Sequence, residues 1–227
     1  MLFDWCAFVF KARESSSDSE SACSSYEDIG VFSLLLTVLR PILSLFVRFR
    51  LLPPWELEHP GFGLQVIMIL VLMMALYLIL RVPHRRPVLH ALRWVWPRTR
   101  CVMLALLLGA LLAGVAICLH GQAQNTRTIP LVEAMMLGVV LGPILEESFF
   151  RGCLLPVLAG SLTNGAAIIL TALVFALFHN PVNLAQWVSF NGSGVAYGWI
   201  RVTSRSTTAA ALTHAVYNLV LLLFAKS

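Results

Sequence analysis

Two runs of 19 residues, 62–80 and 101–119, contain no charged side chain. An α-helix needs about 20 apolar residues to cross the hydrocarbon core of a bilayer, and backbone in lipid must satisfy its own hydrogen bonds. Runs this long and without alternation are therefore read as membrane helices. Window 162–178 is nearly as clean, and 207–225 is interrupted only by His214 and Asn218. Window 182–200 is more polar, and 129–150 would be an ordinary span but for its carboxylates. Window 31–47 is broken by Arg40-Pro41, so it either crosses with a kink or lies in the interface. The expected fold is all-α, a polytopic membrane helix bundle with about six to seven transmembrane helices.

Composition agrees. Apolar residues make up 59% of the chain and charged residues 12%, about half the roughly 25% that keeps a soluble domain wet. That excludes an ordinary cytosolic enzyme. The net charge of +5 does not mark a nucleic-acid binder, because the cations are not spread over a solvated face, and no nucleic-acid partner is expected. Arg81, Arg85, Arg86, Arg93, Arg98 and Arg100 fall in one loop, which stays cytoplasmic by the positive-inside rule. Alternating spans return the chain to that side at Arg201 and Arg205. Arg48 and Arg50 fit this scheme only if 31–47 does not cross. The expected location is multi-pass in a membrane, taken as the plasma membrane of a bacterium.

The organisation reads as a flexible leader (1–29), N-terminal membrane helices (30–128) and a second membrane unit (129–227) that carries the chemistry. Glu14, Asp18, Glu20, Glu27 and Asp28 lie in a Ser-rich stretch with no apolar period, the composition of a solvated leader. Cys6, Cys23, Cys101, Cys118 and Cys153 form no CxxC pair and read as small hydrophobes rather than disulfides or thiolate ligands. Gly109, Ala110, Ala113 and Gly114 form small-xxx-small pairs suited to close helix packing in lipid. Gly192, Gly194 and Gly198 are read mainly as packing residues, and Trp94, Trp96, Trp187 and Trp199 as headgroup-belt aromatics. His59, His84, His90 and His120 fall in loops or at span ends and are read as interface residues.

After residue 60 the only acids are Glu133, Glu146 and Glu147. Glu133, early in its span, is read as interfacial. Charged groups at membrane depth cost on the order of 2.5–3.5 kcal/mol each, so Glu146, Glu147, Arg151, His179 and His214 need a reason to be there. At about 100° per residue, Glu147 and Arg151 lie about 40° apart on a helix and can pair, whereas Glu146 and Arg151 lie about 140° apart. One carboxylate is thus answered by arginine and Glu146 is left for a proton or a ligand. His214 and Asn218, and likewise Phe175 and His179, share the i, i+4 spacing. Such a set can activate water with Glu146 and stabilise an oxyanion with His and Asn donors, or hold a divalent metal that does both. Both routes are hydrolytic. No GxSxG or HExxH is present, which removes the usual serine and zincin signatures.

These residues resemble a known family. Glu146-Glu147 with Arg151 resembles the EExxxR motif of the CAAX protease and bacteriocin-processing (Abi) family of intramembrane endopeptidases. Phe175 with His179 is similar to its FxxxH motif, and His214 with Asn218 to its HxxxN motif. Three ordered motifs over about 129–225 carry the resemblance; earlier residues match only in being helical and apolar. It implies Glu146 as the water-activating base with His179 as its partner, His214 and Asn218 at the oxyanion, and Glu147, Arg151 and Phe175 in support. It also implies membrane-associated peptide or protein substrates, prenylated CaaX proteins among them. The cofactor stays open between zinc, held by Glu146, His179 and His214, and none. Two rival readings are an ion-coupled carrier and a catalytically silent family member acting as a membrane scaffold.

One geometric expectation follows. If a helix starts near Asn164, His179 sits about 22 Å above its start. Glu146 reaches the same depth only if its helix runs past Arg151 to about Ala159, kinked near Pro156. Glu146 is then a mid-helix residue.

Overall fold

The computed structural model describes residues 88–120 and 130–224, with scattered helical residues between 63 and 78. The leader (1–29), the window 31–47 and Arg81, Arg85 and Arg86 lie outside the described residues, as do nine of the nineteen residues of 62–80. All regular structure among the described residues is helical. A short turn, α1 (Val88–Ala91), precedes α2 (Thr99–His120). A composite helix, α3, spans 131–161, and α4 (Asn164–Phe178), α5 (Leu184–Ser204) and α6 (Thr207–Phe224) complete the unit.

Two of these helices, Thr99–Leu119 and Thr207–Phe224, are long and apolar enough to cross a membrane. The sequence expectation of six to seven spans is larger, in part because 31–47 and nine residues of 62–80 lie outside the described residues, and in part for local reasons. Helix α4 has 15 residues, about 22 Å, and α5 carries Gln186, Asn191 and four serines or threonines within 21 residues. The expected 129–150 span is part of a longer helix that alternates α and π turns.

That helix, α3, alternates α and π turns: Leu131–Met135, then π over Met136–Leu141, α over Gly142–Glu147, π over Ser148–Leu154, and α over Leu155–Ser161. Each π segment ends just before a proline, Pro143 or Pro156. Proline lacks the N–H that an α-helix needs and crowds the carbonyl four residues earlier, and a widened turn relieves both. The N–H of Gly142 donates to Leu137 O and that of Leu155 to Phe150 O, five residues back in each case. The helix thereby runs unbroken past Arg151 to Ser161, with Glu146 at its midpoint. Fifteen residues separate Glu146 from Ser161 and fifteen separate His179 from Asn164, so the two lie at comparable distances along their helices from the α3–α4 corner.

Close contacts set the directions of the helices. A Cβ on Gly194 would stand 3.0 Å from Ala172 and one on Gly198 3.1 Å from Ile168, which makes α4 and α5 antiparallel neighbours with almost no side chain between them. A Cβ on Gly109 would meet Thr213 O at 2.5 Å and Val216 Cβ at 2.9 Å, so α2 and α6 touch backbone to backbone. Ala105, Gly109, Ala113 and Ala116 are buried along this seam, whereas Ala110 and Gly114 are exposed. Half of the small-residue patch therefore packs, because only the i, i+4, i+8 row faces α6. Gly192, with nothing within 4 Å of its Cβ position, is likewise outside the α4–α5 seam.

Part of residues 88–97 folds back onto the bundle. Leu92 is buried against Gly152. Trp94 donates its indole N–H to Ser148 Oγ at 3.0 Å, a tertiary role that its belt reading did not foresee. Trp96 and Trp199 are exposed, at 74% and 44%.

Candidate active site

Helices α3, α4 and α6 each bring one motif to the centre of the unit. His179 is the C-cap of α4, and its Nδ1 lies 2.8 Å from Phe175 O. A carbonyl only accepts, so Nδ1 carries the proton and Nε2 of the neutral ring presents a lone pair. That Nε2 stands 3.6 Å from Glu146 Oε2. The gap is too wide for a direct hydrogen bond, and Glu146 Oε2 is buried without a partner. Two acceptors thus face one gap. The His179 ring is held between Phe175 at 4.3 Å and Phe190 at 4.6 Å.

Glu147, one residue on, points to a different environment. Its Oε1 accepts from Arg151 Nη1 at 3.1 Å and lies 2.9 Å from His214 Nδ1. Side-chain exposure is 0% for Glu147 and Arg151 and 5% for His214, against 30% for Glu146 and 27% for His179. The first group is sealed from solvent; the second is partly exposed. Arg151 is further fixed by Nη2 to Gly194 O at 2.9 Å and by the rings of Phe175, Tyr197 and Phe150 at 4.6, 5.2 and 5.5 Å. Burying a guanidinium is tolerable only with such pairing.

Asn218 lies on the face of α6 that turns to the first π segment, and Nδ2 donates to Gly138 O at 2.7 Å. The wide turn explains this bond. The Gly142 N–H, which an α-helix would give to Gly138, goes to Leu137 instead, and the π alternative for Gly138 is the N–H that Pro143 lacks. The side-chain amide supplies the missing donor.

The structure therefore gathers the expected residues into two adjoining sets, Glu146 with His179 and Glu147 with Arg151 and His214. Phe175 touches both imidazoles, at 4.3 Å to His179 and 5.9 Å to His214. The set named for zinc, Glu146, His179 and His214, is not assembled. His214 Nδ1 is engaged by Glu147, and among the described residues no three His, Cys, Asp or Glu side chains converge as a metal site. Glu146 and His179 by themselves are two donors, one short of the three protein ligands usual in catalytic zinc sites.

Two participants were missed in the sequence. Tyr197, fully buried, stacks on His214 at 4.7 Å and 18°, and Phe190 covers His179. With Gly194 they form an i, i+4, i+7 row on α5, a stripe visible to a helical count. What a helical count lacks is the side of α5 that meets α3.

Residues 128–220 match the family model described as Type II CAAX prenyl endopeptidase Rce1-like. The match covers α3 to most of α6, with all three motifs, and the resemblance to the CAAX protease family holds over that segment. No curated protein and no solved structure matches the chain. The family is one of membrane-integral CAAX endopeptidases acting on membrane-associated substrates.

Proposed function

We propose that this chain, with an Rce1-like segment at 128–220, is an intramembrane endopeptidase in which Glu146 activates water against a peptide bond of a membrane-associated, CaaX-type substrate. The observation that carries the reading is the facing pair Glu146 Oε2 and His179 Nε2, 3.6 Å apart and open on one side. A water bonded to both at about 2.8 Å would subtend about 80°, within the bending that hydrogen bonds tolerate. Glu146 takes one proton as the water oxygen attacks the scissile carbonyl, and a tetrahedral intermediate forms. The same carboxyl returns the proton to the departing nitrogen as the C–N bond breaks, leaving a carboxylic acid and an amine.

The charge on the former carbonyl oxygen needs donors in a water-poor site. Asn218 uses one N–H on Gly138 and keeps a second for this purpose. His214, held at Nδ1 by Glu147, turns Nε2 away from that carboxylate. Glu147 and Arg151 neutralise each other and fix His214. All of these roles are supplied by side chains, and no step is routed through a metal.

Cleavage of farnesylated CaaX peptides by the purified protein in nanodiscs tests the reading. Glu146→Gln and His179→Ala are expected to lower kcat by about 100-fold or more, the range that general-base removal gives, and chelation is expected to leave the wild-type rate unchanged. Cleavage by Glu146→Gln at the wild-type rate would overturn the assignment of the base. Loss of activity on chelation, restored by zinc, would replace the metal-free route.

A further inference from the structure

Residues 92–95 precede the segment that matches the family, yet they bond to α3 and to the start of α6, the two helices that bring Glu147 and His214 together. On one side their carbonyls meet the corner between α5 and α6. The Thr207 N–H donates to Arg93 O at 2.9 Å, Thr207 Oγ1 donates to Leu92 O, and Ser206 Oγ donates to Val95 O. Arg201, only 9% exposed, fixes the Thr207 hydroxyl by donating Nε to its oxygen at 3.0 Å. On the other side the segment's side chains face α3. Leu92 is buried where a Cβ on Gly152 would stand 2.9 Å from Leu92 Cδ2. Two residues on, the Trp94 indole N–H donates to Ser148 Oγ at 3.0 Å. Ser148 and Gly152, four apart, share one face of the second π segment.

A hydroxyl carries one proton. With the indole N–H at one of its lone pairs, the Ser148 hydroxyl sends that proton to Ile144 O, 2.6 Å away and one turn earlier. The backbone N–H of Ser148 reaches the same carbonyl. Ile144 and Ser148 are therefore the two ends of a closed turn whose interior holds Glu146 and Glu147. That turn stands between two π segments, and its phase depends on where they begin and end. Moving one boundary by a residue turns both carboxylates by about 100°. Ser148 is the first residue of the second π segment, so a bond that holds its side chain also holds that boundary. His214, which meets Glu147, lies about two turns into α6 from Thr207. One short segment thus refers both partners of that contact to the same point.

We propose that Trp94 is a positioning residue for the Glu146–Glu147 turn, acting through the Ser148 hydroxyl, and that residues 92–95 belong to the catalytic unit although they lie before the family match. The effect on cleavage rests on the peptidase reading; the effect on α3 does not. Without the indole N–H, the Ser148 hydroxyl loses the donor that orients it and the start of the π segment loosens. The spacings of Glu146 from His179 and of Glu147 from His214 then spread. A small misplacement of a catalytic group is paid in rate.

The test uses the full chain in nanodiscs and two variants. Trp94→Phe keeps a ring against the bundle and loses the N–H, and Ser148→Ala removes the acceptor. Hydrogen exchange read by mass spectrometry reports on α3 directly and needs no substrate. Both variants should speed exchange of peptides covering 142–154 by about 2–12-fold, the fold-change of one lost hydrogen bond, and leave those covering 105–116 unchanged. Unaltered exchange over 142–154 would overturn the tether. In cleavage of a farnesylated CaaX peptide each variant should lower kcat about ten-fold with KM within about two-fold. The double variant should lose no more than either single one, because both remove the same link. Additive losses would make Trp94 a packing residue and overturn the route through Ser148. A wild type that shows the exchange dependence but cleaves nothing would strike the peptidase reading alone, whereas variants that cleave as fast as an active wild type would strike the positioning role alone.

Discussion

Adjacent carboxylates on one helix should fail in opposite ways. Glu147→Ala leaves Arg151 fully buried with the Gly194 carbonyl and three ring faces as its remaining partners, and it strips His214 of its Nδ1 acceptor. Removing one member of a buried ion pair costs about 3–5 kcal/mol, because the other charge stays behind uncompensated. For a chain of this size each kcal/mol moves the melting temperature by about 2–4 °C, which predicts a fall of about 6–20 °C. Glu146→Ala removes a carboxylate that is 30% exposed and has no partner closer than 3.6 Å, so it should stay within about 0.5 kcal/mol of wild type. A further variant separates charge from shape: Glu147→Leu with Arg151→Met replaces the pair by apolar groups of similar volume and should recover most of the loss. Melting is followed by the fluorescence of a thiol dye or by circular dichroism in one detergent, with all four proteins side by side. Equal melting of Glu147→Ala and Glu146→Ala would refute the division into a sealed group and a partly exposed one.

Packing and positioning give two more expectations. Gly109→Val places methyl groups where a Cβ already meets Thr213 O at 2.5 Å, and should destabilise by about 1–3 kcal/mol through overpacking. Gly114→Ala, with nothing within 4 Å, should be neutral or slightly stabilising, and a melting series on both checks the seam. Phe190→Ala should lower kcat about ten-fold while leaving KM and melting nearly unchanged, since His179 loses one of its two retaining rings and a small misplacement of a catalytic group is expensive. Phe190→Tyr should restore most of the rate; a loss carried by KM instead would assign Phe190 to substrate contact.

Much of this site could be read from the chain alone because its elements are local. The Glu147–Arg151 pair and the Phe175–His179 pair follow from helical spacing, and scarcity of charge in so apolar a chain points to the same few residues. Residues 62–80 and 101–119 declare membrane helices by their length, although only the second falls wholly within the described residues. Comparable distances of Glu146 and His179 from the α3–α4 corner follow from counting residues along their helices.

Tertiary packing decided what spacing leaves open. Which carboxylate His214 would meet depends on the phase of α3 relative to α6. That phase is altered by two π segments, each inserting a residue and about 100° of rotation ahead of a proline. The same wide turn frees the Gly138 carbonyl for Asn218, a bond with no trace in a regular helical count. It is also packing that parts Glu147 and His214 from Glu146 and His179. A helix fixes the residues that share its own face; the residue each face meets is set by how neighbouring backbones close, here at Gly109, Gly194 and Gly198.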